Sequence, residues 1–230
     1  MKLVLFDVDG TLVHAGGQAK PLFAEALVEV FGTTGAIDAY DFSGKTDGRI
    51  VVDLLAGAGV PEAAIHAGLA RVRESYLGRM AARFDAGRVR VLPGVAELLA
   101  ALALRSEVEL GLLTGNWREG ARIKLGAVGL FDYFPFGGFG DDGLDRRDLP
   151  PVALARARRH AGREFGPRET VIVGDSLLDV DCAAAHGIPC LAVASGWTAA
   201  EALAAAGADW VVDDLGAALT HPAFANGERG

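Results

Sequence analysis

Three groups of residues in this 230-residue chain have the types and spacing to do chemistry. The first is Asp7 and Asp9 in KLVLFDVDGTL (residues 2–12), two carboxylates placed directly after the apolar run Leu3-Val4-Leu5-Phe6. Brought together at the mouth of a buried strand, each raises the other's cost of ionising, and a bound cation relieves that cost. Gly10 lets the backbone turn sharply past the pair, and Thr11 adds a hydroxyl. The second group is Asp175 and Asp179 in GDSLLD (residues 174–179), after the apolar run Thr170–Val173. They are one i,i+4 step apart, so both can face one point. Four carboxylates from two strand ends call for a hard divalent cation, and oxygen-only donors suit magnesium, with manganese as the alternative. The third group is Thr114-Gly115-Asn116, which follows Val108–Leu113. A hydroxyl and adjacent N–H groups at the carboxyl end of a strand, just ahead of a helix, are what a phosphate oxygen needs. Each group alone also reads as a solvated loop or a helix cap; their shared position after apolar runs is what joins them.

The elements that must position these residues are strands alternating with helices. Short apolar runs predict strands at Leu3–Phe6, Val108–Leu113, Thr170–Val173, Pro189–Ala194 and Asp209–Val212, with a short edge strand over Phe134–Gly138. Helices are predicted from Pro93-Gly94 through Leu104, over Ala121–Phe131 and over Pro150–Ala161, and Gly187 and Gly207 end two more. Right-handed crossovers then give an α/β fold, a Rossmann-like parallel sheet covered on both faces, with ligands beyond the carboxyl ends of its strands. Between residues 18 and 85 no strand is predicted; helical spacing runs through Pro21–Phe31, Ile50–Ala58 and Ala64–Met80. The expected organisation is therefore a core of residues 1–14 and 88–220, an all-helical insertion of residues 15–87, and a loose tail of residues 221–230. Gly16-Gly17 and Arg88–Leu92 are the expected hinges. Inside the insertion, the loop Ser43–Arg49 (SGKTDGR) places cations in an acidic protein, where they can meet an anion or lie in solvent beside a helix cap.

A formal charge of −8, with no basic face or run, argues against a nucleic-acid or membrane-surface partner. No apolar run has the length of a membrane span, and the chain opens directly into a strand, so a cytoplasmic location is expected, with monomer and homodimer both left open. Cys182 and Cys190 are too few for a disulfide framework and read as small buried residues.

With DVDGT (residues 7–11), a threonine after the second core strand and GDSxxD in this order, the chain resembles the haloacid dehalogenase superfamily of phosphohydrolases. The branch it resembles carries a small helical cap of the C1 type and is nearest to phosphoglycolate-phosphatase-like members. The resemblance implies strand order 5-4-1-2-3, with Asp7 as nucleophile and Asp9 as general acid and base. It implies a metal held by Asp7, the Asp9 backbone carbonyl and Asp175, with Asp179 close by, and a phosphate held by Thr114 and the N–H of Gly115 or Asn116. In that branch the cap loop, here Gly44 and Lys45, selects substrate. The family's third motif is a lysine, commonly in KPxP, but here the place reads Asp145-Arg146-Arg147-Asp148-Leu149-Pro150. The candidates for its role are Arg146, Arg147 and Lys124. Lys124 lies two turns into the helix after Thr114 and must reach back roughly 12 Å, which favours an arginine.

The implied activity is that of a magnesium-dependent phosphomonoesterase acting on a small phosphorylated metabolite through an aspartyl-phosphate. A dehalogenase of the family lacks the second aspartate, so Asp9 argues against that role. A sugar phosphomutase of the β-phosphoglucomutase type keeps both aspartates and remains an alternative. A phosphonatase would need a Schiff-base lysine in the cap, for which Lys45 is the candidate. A non-catalytic phospho-acceptor switch also gathers aspartates at strand ends, but gains nothing from a lid.

Overall fold

The first strand, β1 (Lys2–Phe6), is buried at every residue, which is why its sequence is an unbroken apolar run and does not alternate. A computed structural model of the chain describes residues 1–225. Along the chain, β1 is followed by β2 (Val13–His14), then α1 (Ala19–Phe31), α2 (Asp47–Gly57) and α3 (Glu62–Arg83). After β3 (Arg90–Val91) come α4 (Val95–Ala103), β4 (Val108–Leu113), α5 (Arg118–Gly126) and β5 (Phe136–Gly138). The rest is α6 (Leu149–Ala161), β6 (Thr170–Gly174), α7 (Leu177–Ala185), β7 (Cys190–Val193), α8 (Ala200–Ala205) and β8 (Trp210–Val212).

Six strands form one parallel sheet in the order β5-β4-β1-β6-β7-β8. Counting core strands alone, this is the expected 5-4-1-2-3 order with a sixth strand, β8, added at the edge beyond β7. The ends of β1, β4 and β6 therefore lie side by side, Phe6 being in register with both Leu112 and Val173. Alternate residues of β1 feed two separate apolar layers. Val4 and Phe6 point into one with Leu98, Leu112 and Val173, and Leu3 and Leu5 into the other with Leu149, Ile172 and Cys190. A third apolar cluster joins α1, α2 and α3 through Phe23, Leu27, Leu54, Val72 and Tyr76, and receives Trp117 from the loop after β4.

Three features differ from the sequence expectations. The crossing points into the helical segment are tied together by a two-residue antiparallel ribbon, Val13 opposite Val91 and His14 opposite Arg90. Beside it the Arg88 guanidinium donates to the Gly16 carbonyl, and Gln18 both donates to and accepts from the Asp85 backbone. Second, α5 ends at Gly126, well short of Phe131, because Gly129 takes a left-handed φ of 72° and Leu130 N–H turns back to the Leu125 carbonyl. Third, the expected loose tail is docked where it is described: Phe224 is 1% exposed and packs in the same layer as Phe6, while residues 226–230 lie outside the described residues. No helix among the described residues is long and apolar enough to cross a membrane.

Because Phe224 fills a closed site, Phe224→Ala should cost about 3–5 kcal/mol of stability, measured by urea unfolding. A variant as stable as the parent would show that this segment adds nothing to the core.

Candidate active site

Asp7 is the residue at which β1 leaves the sheet; its N–H still donates to the Val173 carbonyl, so its carboxylate is aimed from the carboxyl edge. Asp175 follows β6, and Asp179 lies in the first turn of α7. One carboxylate oxygen from each of Asp7, Asp175 and Asp179 lies within 4.8 Å of the other two, and all three residues are buried. Asp179 is fixed by a reciprocal cap: its Oδ2 accepts from the N–H and hydroxyl of Ser176, while Ser176 Oγ accepts from the Asp179 N–H. Asp175 accepts from Thr11 Oγ1 at 3.1 Å. Gly10 permits the approach on two counts, since its φ is +83° and a Cβ there would lie 2.3 Å from Asp175 Oδ2.

Burial pushes the Asp7 carboxyl up to about 6, against the pull of Arg146, with Asp179 adding to the rise. Burial pushes Asp175 further, to about 8, helped by the negative charges of Asp7 and Asp179. A site that makes its own carboxylates hard to ionise, built from oxygen donors alone, fits a hard divalent cation. The Asp9 carboxylate is not in this cluster, in keeping with an expected metal contact through the Asp9 backbone carbonyl alone.

Instead Asp9 Oδ2 accepts from Lys124 Nζ at 2.6 Å and from Asn116 Nδ2 at 2.9 Å. Asn116 is itself held on both sides, donating to Thr114 Oγ1 and accepting from Lys124 Nζ at 2.6 Å. The reach that seemed too long for Lys124 is shorter than a count from Thr114, because α5 begins only at Arg118, after the chain has turned across the strand ends. Its ammonium is buried and brought to Asp9.

The two arginines part company. Arg146 is buried and donates to Asp179 Oδ1 at 2.5 Å and to the Leu113 carbonyl at 3.0 Å, with Asp7 Oδ1 3.2 Å away. Its other terminal nitrogen donates to the Gly44 carbonyl in the loop before α2, and its buried Nε has no partner among the described residues. Asp179 and Asp7 hold this guanidinium charged despite the burial. Arg147 is exposed and pairs with Asp181 on α7, away from the carboxylates. Lys45 is turned onto the Asp41 carbonyl and lies 3.9 Å from the centroid of the Tyr40 ring.

The loop that carries Gly44 and Lys45 sits directly on the strand ends. The Asp47 N–H donates to the Gly115 carbonyl, Thr46 Oγ1 donates to the Leu144 carbonyl, and a Cβ on Gly115 would meet the Lys45 carbonyl at 2.0 Å. Thr46, the N-cap of α2, accepts from the Arg49 N–H, so Asp47 is released from capping and turns to accept from the Trp117 N–H at 2.8 Å. Burial pushes Asp47 up to about 7, against the pull of Lys124. Asp47 is not among the residues expected at the site: its partner lies 70 residues on, with no local signal. Between the helices and the strand ends lies a cavity of about 460 Å3, which Asp7, Asp9, Thr114, Asn116, Lys124 and Asp175 line from below.

Known proteins are similar to this chain in sequence and in fold. A family model described as haloacid dehalogenase-like hydrolase matches residues 4–184. A phosphoglycolate phosphatase of Rhodospirillum rubrum is 32% identical over 225 residues, covering 93% of this chain and 88% of its own. Phosphoglycolate phosphatase 1 of Pseudomonas aeruginosa is 30% identical over 220 residues, covering 93% of this chain and 77% of its own. Among solved structures, a hydrolase from Pseudomonas syringae shares the fold, with a TM-score of 0.71 at 22% identity and coverage of 96% and 97% of the two chains.

The raised carboxyls make the folded protein bind protons that the unfolded chain has already released. Their stabilising contribution is complete below the ordinary value of 3.8 and is lost as pH rises through about 6 for Asp7 and about 8 for Asp175. With divalent ions chelated, the urea midpoint should therefore fall between pH 5 and pH 8.5, and Asp175→Asn should flatten that fall. An unchanged slope in the variant would mean that Asp175 does not carry the strain.

Proposed function

The chain belongs to the haloacid dehalogenase-like hydrolases, and from that premise we propose that it is a magnesium-dependent phosphomonoesterase working through an aspartyl-phosphate on Asp7. The observation that carries this reading is the division of labour between two aspartates two residues apart. Asp7 joins a buried acidic cluster, and Asp9 is turned away from it and clamped by Lys124 and Asn116. Neighbouring carboxylates in such different surroundings suit a nucleophile and a proton carrier.

An Asp7 oxygen attacks phosphorus, forming the acyl-phosphate bond as the ester P–O bond breaks. Asp9 gives its proton to the leaving oxygen, then takes one from the water that cleaves the acyl-phosphate and restores Asp7. Both clamping contacts fall on Oδ2, which leaves Asp9 Oδ1 as the oxygen that exchanges the proton. Thr114, the N–H groups of Gly115 and Asn116, and the Lys124 ammonium bind the transferring oxygens as charge spreads over them. A magnesium ion held by Asp7, Asp175 and Asp179 with the Asp9 backbone carbonyl would supply charge that offsets repulsion between nucleophile and phosphate. Arg146, engaged with Asp7, Asp179 and the Gly44 carbonyl, positions the nucleophile and the loop above it together. Residues 15–87 form the cap over a core of residues 1–14 and 88–225, and its opening admits substrate and releases product.

Phosphate release should be measured with magnesium across small phosphomonoesters, phosphoglycolate among them because relatives bear that name. Asp7→Asn should lose at least about a thousandfold in kcat, and acid-quenched enzyme should carry label from a 32P-ester on Asp7. Lys124→Met should lower kcat by about ten- to a hundredfold. Undiminished turnover by Asp7→Asn would overturn the reading.

A further inference from the structure

The turn Gly115-Asn116-Trp117, which joins β4 to α5, is held from two sides. From the core, the Gly140 N–H donates to the Asn116 carbonyl. From the helical segment a single residue, Asp47, takes both ends: its N–H donates to the Gly115 carbonyl at 2.8 Å, and its Oδ2 accepts from the Trp117 N–H at 2.8 Å. Among the described residues the Gly115 N–H makes no hydrogen bond. The clasp thus fixes the turn and leaves one donor of it free.

The start of α5 has no cap of its own. Trp117 stands at its N-cap position without a side-chain bond, and the N–H groups of Trp117 and Arg118 go to carboxylates from other parts of the chain, Asp47 and Asp141. Asp141 is in turn paired with Arg73 on α3, and the Trp117 ring lies against Phe23 and Tyr76, with centroids 6.1 and 5.9 Å apart. The helical segment therefore sets this turn as much as the strand before it does. Asp47 stands outside the acidic cluster and lines the cavity, where a negative charge opposes a phosphate. Burial raises its carboxyl to about 7, so both of its forms are present near neutral pH, and both offer the Trp117 N–H an acceptor oxygen.

Resting on the phosphomonoesterase reading, we propose that Asp47 is a positioning residue for the transferring phosphate: from the helical segment it clasps both ends of the Gly115–Trp117 turn and so aims the Gly115 N–H at a phosphate oxygen, acting as a hydrogen-bond acceptor and not as a charge. Because the clasp spans the cap loop and the turn, phosphate on the turn and the loop above it favour one another.

The test compares Asp47→Asn, which keeps an acceptor and loses the charge, with Asp47→Ala and Asp47→Leu, which lose both, the leucine keeping the bulk. With magnesium and a phosphomonoester that the parent hydrolyses, two quantities are measured, kcat/KM and the constant for competitive inhibition by inorganic phosphate. In the alanine and leucine variants kcat/KM should fall, and the inhibition constant rise, by at least about tenfold, while Asp47→Asn stays within about threefold of the parent in both. The magnesium concentration that gives half the maximal rate should stay within about twofold throughout, since Asp7, Asp175 and Asp179 are not touched. Parent-like inhibition by phosphate in a folded Asp47→Ala or Asp47→Leu protein overturns the inference and leaves the phosphomonoesterase reading intact. So does an Asp47→Asn protein as impaired as the other two, which would assign the effect to charge, or a loss of magnesium affinity as large as that of phosphate. Release of phosphate by the parent from no phosphomonoester, p-nitrophenyl phosphate included, overturns the underlying reading itself.

Discussion

Three carboxylates brought within 4.8 Å of one another in a buried place are the constraint on which the remaining structure depends. Negative charges so close oppose their own ionisation, and among the described residues one buried guanidinium, Arg146, is set directly against two of them. The rest of the arrangement keeps the three from spreading apart. The sheet register holds the ends of β1 and β6 together, the Ser176–Asp179 cap fixes one carboxylate, and Thr11 fixes another. Glycine at position 10 leaves room for Asp175, because any larger residue would occupy its oxygen positions.

Arg146 does more than neutralise. It reaches the end of β4 through the Leu113 carbonyl, and it grips the Gly44 carbonyl of the loop that closes the cavity from above. Lys124 and Asn116 perform a separate task on the other side, drawing Asp9 out of the acidic cluster. The division between Asp7 and Asp9 is thus made by two cations on opposite sides of the strand ends, not by the spacing of the two acids.

The helical segment completes the site and does not merely cover it. Its loop places backbone against Gly115 and Ser176 so closely that a side chain on Gly115 or Gly44 would collide. Trp117, from the loop after β4, inserts among the rings of that segment, stacking on Phe23 at 6.1 Å. Residues of the strand ends and of the helices consequently share one apolar cluster as well as one cavity.

What could be read in the sequence was local. An apolar run ending on an acid marks a fully buried strand whose next residue emerges at the sheet edge, so Asp7, Asp175 and Thr114 could be placed from their neighbours alone, and an i,i+4 spacing put Asp179 beside Asp175. Helical periodicity likewise marked α1, α2 and α3, although glycine turn chemistry ended α5 sooner than its apolar pattern indicated. Tertiary structure alone decided what each cation does. Lys124 and Asp9 are 115 residues apart, Arg146 and Gly44 are 102 apart, and Asp47 meets Trp117 across 70. Such pairings depend on where helices start and how loops cross the strand ends, and a periodic pattern within one segment carries no information about distances between segments.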